Sequence, residues 1–155
     1  MIDKIIEQKK RLEKSEEFKK FIQEHENSFF ISAFLTKDFW ELHYFCPDEK
    51  KAGCFSMGEK IGYLFSEMTT EGKLNELKLE KINYDLSDEN LLKLKKKYLE
   101  SDIMNQIISL QNFKSKFVWN ITWLTSSLNL INLKISTNDG KIVDEKKENV
   151  MSWRH

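Results

Sequence analysis

The sequence has little proline, glycine or cysteine and no long apolar run. One proline and five glycines in 155 residues argue against a disordered or linker-rich chain. No apolar run reaches the roughly 18 residues of a membrane-spanning helix, and the charged first segment, residues 1–18, lacks the apolar core of a signal peptide. We therefore expect a cytoplasmic protein with no membrane partner.

The two cysteines, Cys46 and Cys54, flank a short turn-forming segment and could face each other across a hairpin. Without a secretory signal a stable disulfide is not expected, so we interpret both as reduced, partly buried thiols. Together with His43 they would supply three zinc-type ligands, but a fourth is missing and the spacing matches no zinc pattern. The sequence therefore predicts no metal and no cofactor.

Net charge is also absent, because 25 Lys and Arg residues balance 25 Asp and Glu residues. No long-range field would attract the molecule to nucleic acid or to an anionic membrane. The densest basic run, Lys93 to Lys97, lies on a predicted helix, contains no arginine and has acidic neighbours. We interpret it as a solvated helix surface and expect no nucleic-acid partner.

Aromatic residues are abundant, and apolar residues alternate along several segments. The alternation from Phe117 to Asp144, with its Asn-Asp-Gly turn, predicts three consecutive antiparallel strands, and a similar pattern predicts three strands before Met57. Helical spacing over residues 2–25 predicts one long helix or two divided near Ser15, and Ser87 followed by two acidic residues predicts the start of another.

These elements predict one α+β domain over residues 1–146, with an antiparallel sheet of about six or seven strands and two helices packed on one face. It consists of a first helix-plus-strands unit, 1–58, a connector with one edge strand, 59–86, and a second unit, 87–146; a tail, 147–155, follows. The strands beginning at Trp40 and Trp119 share one residue pattern. This pattern indicates either an internal duplication or only the alternation of strands with one buried face.

Strand alternation also predicts a patch of polar residues. Trp40, Leu42 and Tyr44 should face the core, as should Trp119, Ile121 and Trp123 on the other strand. The residues between them, which should lie together on the open face, are our candidate contact patch: Glu41, His43, Asn120 and Thr122.

The last strands resemble those of the PepSY domain, a small α+β module of peptidase propeptides. Family members have an apolar strand, then Asp-Ala-x-Thr-Gly and a further apolar position. Ile135 and Gly140 match this pattern, and the apolar continuation follows Gly140, but Ser136 replaces the Asp and Asp139 replaces the Thr. The resemblance covers residues 87–146 best, and 1–58 only as a degenerate second copy. It implies a noncatalytic binding or protease-regulating module.

Three functional classes remain open. The first is a stand-alone binding or regulatory module with an unknown protein partner, a protease among the candidates. The second is a carrier of a small apolar ligand, held in a pocket between the sheet and the first helix. The third is an enzyme that uses Glu41 and His43 as acid and base. We favour the first, since the sequence contains no recognisable catalytic constellation, and homodimer formation is undecided.

Overall fold

The computed structural model describes residues 1–68 and 73–153, so Gly72, His155 and the side chain of Trp153 lie outside the described part. Its regular elements form an α+β fold, as predicted, with one antiparallel sheet of eight strands and three α-helices in the described residues. The helices are α1 (Ile2–Glu13), α2 (Glu16–Glu24) and α3 (Asp88–Tyr98). The strands are β1 (Phe29–Leu35), β2 (Trp40–Cys46), β3 (Lys51–Met57), β4 (Ile61–Glu67), β5 (Ile103–Phe113), β6 (Lys116–Thr125), β7 (Asn129–Ser136) and β8 (Ile142–Asn149).

Serine caps set where two of the helices begin. The Ser15 hydroxyl accepts a hydrogen bond from the Phe18 backbone N–H at 3.2 Å, so the first helical region is divided into α1 and α2 at Ser15. The Ser87 hydroxyl accepts one from the Asn90 N–H at 3.1 Å and begins α3. The predicted cap at Ser87 is therefore confirmed, and of the two alternatives for residues 2–25 the divided one is found.

The strands follow the order β4-β3-β2-β1-β5-β6-β7-β8, and every neighbouring pair is antiparallel. Two four-stranded meanders, each preceded by helix, therefore meet at β1 and β5. The sheet exceeds the predicted six or seven strands because both the edge strand of the connector, β4, and a strand before Phe117, β5, form in addition to the six strands of the two alternating segments. Strand β8 also continues to Asn149, past the predicted end at Asp144.

The core lies between the helices and one face of the sheet. Trp119, Trp123 and Leu42 have no exposed surface and Trp40 is 6% exposed, which confirms the predicted inward positions of these side chains. Against them pack helical residues that are themselves buried: Ile5, Leu12, Phe21 and Leu91. Apolar side chains thus pack between the sheet and the first helical region.

The connector after β4 passes through a split in the sheet. Strands β1 and β5 pair at only three positions, Ala33 to Leu35. Beyond them the Phe30 carbonyl accepts a hydrogen bond from the Leu77 backbone N–H at 2.7 Å, and Leu77 is buried in the core. The Asn112 side chain donates to the Asn75 carbonyl at 3.3 Å on the other side. The split leaves a cleft on the sheet face against which none of the helices in the described residues packs.

Candidate functional site on the helix-free face

A row of paired residues crosses the face of the sheet opposite the helices, which we call the helix-free face. Glu41 pairs with Phe34, Phe34 with Ser109, and Ser109 with Asn120. Glu41 and Asn120 therefore lie on the same face, as predicted. However, β1 and β5 separate the two strands, and three inter-strand spacings amount to roughly 14 Å. The predicted patch is consequently two separate groups.

The first group, Asn120 and Thr122, is held by bonds within the sheet. The Asn132 side-chain N–H group donates to Asn120 Oδ1 at 2.6 Å and to Thr122 Oγ1 at 2.9 Å. Lys134 Nζ in turn donates to Asn132 Oδ1 at 2.7 Å and pairs with Asp144 at 3.3 Å. These polar groups therefore already bond one another.

Near the second group, Glu41 and His43, lies the thiol of Cys54 on the neighbouring strand β3. Glu41 Oε1 lies 3.4 Å from His43 Nε2, and Cys54 is the cross-strand partner of His43. One ligand atom from each of the three residues lies within 4.8 Å of the others. The Phe34 ring stacks on the imidazole with centroids 4.8 Å apart and fixes its orientation. Three chemically active side chains therefore converge on one point.

Burial sets the protonation of this group. Desolvation lowers the pKa of His43 below its usual value, although the carboxylate of Glu41 acts in the opposite direction. Desolvation also raises the pKa of Cys54, the negative charge of Glu41 adds to the increase, and a hydrogen bond with Ser66 opposes it. Near neutral pH the imidazole is therefore neutral and the sulfur is protonated.

The cleft beside this group has a volume of about 520 Å³ and a mixed lining. We call it the His43 cleft. It is lined by apolar, polar and charged side chains from β1 to β5, the connector and the β5–β6 turn, among them Phe34, His43, Cys54, Ser66, Gln111 and Lys114.

The two cysteines do not face each other, contrary to the sequence-based expectation. Strand β3 begins directly after a four-residue connection, so Cys46 pairs with Lys51, and Cys54 pairs with His43. Cys46 is buried in the core on the helix side, whereas Cys54 lies on the helix-free face. Of the three ligands considered from the sequence, His43 and Cys54 come together, and Glu41 takes the place expected for Cys46.

The basic run on α3 has surface positions, as expected. Lys93 and Lys96 are exposed, and Lys93 lies 3.5 Å from Glu89 of the same helix. Within the described residues, no helix combines the length and the apolar character needed to cross a membrane.

Comparisons with known proteins identify a fold but no function. No family model and no curated protein matches the chain. Among solved structures, a protein from Clostridium difficile 630 described as a candidate lipoprotein is similar, with a TM-score of 0.54 and 13% sequence identity. The match covers 85% of this chain and 90% of that one. At this identity the likeness is one of fold alone.

Proposed function

We propose that this protein is a noncatalytic binding or regulatory module, PepSY-like in fold, that engages a separate protein partner in the cytoplasm. The observation that carries the proposal is the His43 cleft, on a sheet face that no helix of residues 1–68 or 73–153 covers. A cleft of about 520 Å³ with apolar, amide and charged lining can accommodate side chains of a partner segment. A protease remains the partner class that the PepSY resemblance favours.

The arrangement of the two halves supports the PepSY resemblance and the internal duplication. Each half has helix followed by a four-stranded antiparallel meander, and the two meanders meet through their first strands. The glycine of the family pattern, Gly140, has a φ of +76° in the turn before β8, a conformation that favours glycine. The order of elements thus recurs along the chain, in agreement with the shared pattern that begins at Trp40 and Trp119.

The state of the thiol supports a noncatalytic role. A nucleophilic cysteine needs a lowered pKa, whereas burial and Glu41 raise that of Cys54. Cys54 also lies within a central strand, paired with His43 on one side and Leu64 on the other. Backbone N–H groups that pair within a ladder are not available to stabilise an oxyanion.

Partner capture with two matched variants tests the proposed surface. Gln111→Trp would place an indole ring in the His43 cleft, while Leu92→Trp adds the same ring to an α3 position that is 53% exposed. Each variant and the unaltered protein are used to capture partners from an extract of the source cells. We expect one reproducible partner that the Gln111→Trp bait loses and the Leu92→Trp bait retains. Equal capture by both variants would place the binding surface elsewhere.

We also propose that two copies of the chain pair through an edge strand of the sheet. Strands β4 and β8 form the two edges of the sheet, and on β4 Tyr63 is 47% and Leu64 64% exposed. Exposed apolar residues on an edge strand favour pairing with another strand. Light scattering at several protein concentrations measures the oligomeric state directly.

A further inference from the structure

The geometry of the Glu41, His43 and Cys54 group is that of a set of metal ligands. Alternate residues of one strand point to the same face, so Glu41 and His43 project together from β2, and the cross-strand position brings Cys54 beside them from β3. Their ligand atoms lie within 4.8 Å of one another. The hairpin itself therefore holds three ligands of different chemistry around a single point.

The distances suit a shared ion better than a direct hydrogen bond. The separation between Glu41 Oε1 and His43 Nε2 is 3.4 Å, long for a hydrogen bond to a carboxylate. Ligands at about 2.0 to 2.3 Å from a tetrahedral zinc ion lie roughly 3.3 to 3.8 Å from one another. The Glu41–His43 pair already has this spacing, and the Cys54 sulfur lies no more than 4.8 Å from either ligand atom.

The surroundings also fit. The side chains of His43 and Glu41 are 18% and 31% exposed, so water solvates them only in part. Stacking on Phe34, with ring centroids 4.8 Å apart, holds the imidazole in place. A carboxylate and a thiolate would together neutralise a divalent cation, so the assembled site would carry no net charge.

We propose that Glu41, His43 and Cys54 bind one divalent ion of zinc type, with the remaining coordination position directed toward the His43 cleft. Mixed nitrogen, sulfur and oxygen ligands suit Zn²⁺, and three protein ligands leave a position for water or for a donor group from a bound molecule. Binding releases the Cys54 proton to solvent as the metal–sulfur bond forms. The site depends only on the β2–β3 hairpin, so it stands whether or not the cleft takes a protein partner.

Cobalt(II) and zinc(II) test this site directly. Cobalt titrated into the reduced protein should give one thiolate-to-metal charge-transfer band in the near ultraviolet, saturating at one ion per chain and reversed by zinc. Cys54→Ser should abolish the band, and His43→Gln and Glu41→Gln should each weaken zinc binding. Mutation of a residue that only hydrogen-bonds a metal ligand typically lowers metal affinity about 10- to 100-fold. Because His43→Gln removes a ligand itself, we expect it to lower zinc affinity by at least about 100-fold.

Matched variants separate this site from other histidines and thiols. His25 lies outside the cleft, where its Nδ1 is 2.7 Å from Glu49 Oε1, and Cys46 lies on the other face of the sheet. The variants His25→Gln and Cys46→Ala should therefore retain the band. Circular dichroism checks that each variant is folded. Zinc should also slow alkylation of Cys54.

The proposal would be overturned by absence of the band in the folded protein, by its persistence in Cys54→Ser, or by an equal loss of zinc affinity in His25→Gln and His43→Gln. Rapid alkylation of Cys54 that zinc does not change would likewise contradict it and indicate a free nucleophilic thiol instead.

Discussion

Replacement of Trp119 by alanine tests how the core holds the two meanders under the helices. The indole is fully buried on β6, and its N–H donates to the Tyr84 carbonyl in the connector at 2.9 Å. Truncation of a buried tryptophan to alanine costs about 3 to 5 kcal/mol. The Tyr84 carbonyl, left without its hydrogen-bond donor, adds about 1 kcal/mol to this cost. This is the lower end of the range for an unpaired buried acceptor, because Tyr84 is only partly buried.

We therefore expect Trp119→Ala to lower the free energy of unfolding by about 4 to 6 kcal/mol, a large part of the stability of an ordinary domain. Guanidinium unfolding followed by far-ultraviolet circular dichroism measures this change. Trp119→Phe retains most of the apolar volume and loses the hydrogen bond, so its expected cost is about 1 to 2 kcal/mol. Leu92→Ala, at an exposed position of α3, should stay within about 0.5 kcal/mol. A loss below about 1 kcal/mol in Trp119→Ala would refute the assigned packing.

Two further predictions concern the last turn and the pH dependence of folding. Gly140→Val should lower the melting temperature, because φ is +76° there and an added Cβ would lie 2.6 Å from the Tyr84 ring; an unchanged melting curve would contradict the turn. His43 has a lowered pKa in the folded state, so below about pH 6.5 the unfolded chain binds more protons and stability falls as pH falls toward the folded-state pKa. Denaturant unfolding at pH 7.5 and 5.5 measures this decrease in the free energy of unfolding, and we expect the decrease to be smaller in His43→Gln. An equal decrease in both proteins would contradict a lowered pKa of His43.

Most of the fold could be predicted because local signals agreed with the final packing. Ser87 with two acidic residues marks a helix start, and the alternation around Trp40 and Trp119 reflects real burial of one strand face. The two edge strands were harder to recognise. Each pairs on one side only, and β4 has three consecutive exposed residues, Gly62 to Leu64, while β8 is exposed from Glu145 onward. Without a buried face, alternation disappears.

The candidate site depends on long-range pairing that alternation does not reveal. Alternation correctly places Glu41 and His43 on one face, but nothing local to β1 or β5 indicates that these two strands separate them from Asn120. Cys54 could have been found from the hairpin. If the connection after Cys46 is taken as the four residues 47–50, the antiparallel register places Cys54 opposite His43. The left-handed conformation at Lys50, with a φ of 52°, closes this short connection.

The central claim is that the His43 cleft is the binding surface, and photo-crosslinking tests it most directly. A benzophenone side chain is introduced at Lys114, an exposed residue that lines the cleft from the β5–β6 turn, and, separately, at the exposed Leu92 on α3, and the folded proteins are irradiated in extract of the source cells. We predict a discrete protein adduct from position 114 and none from position 92. An adduct from position 92 alone, or none from position 114 when a partner is captured, would contradict the account.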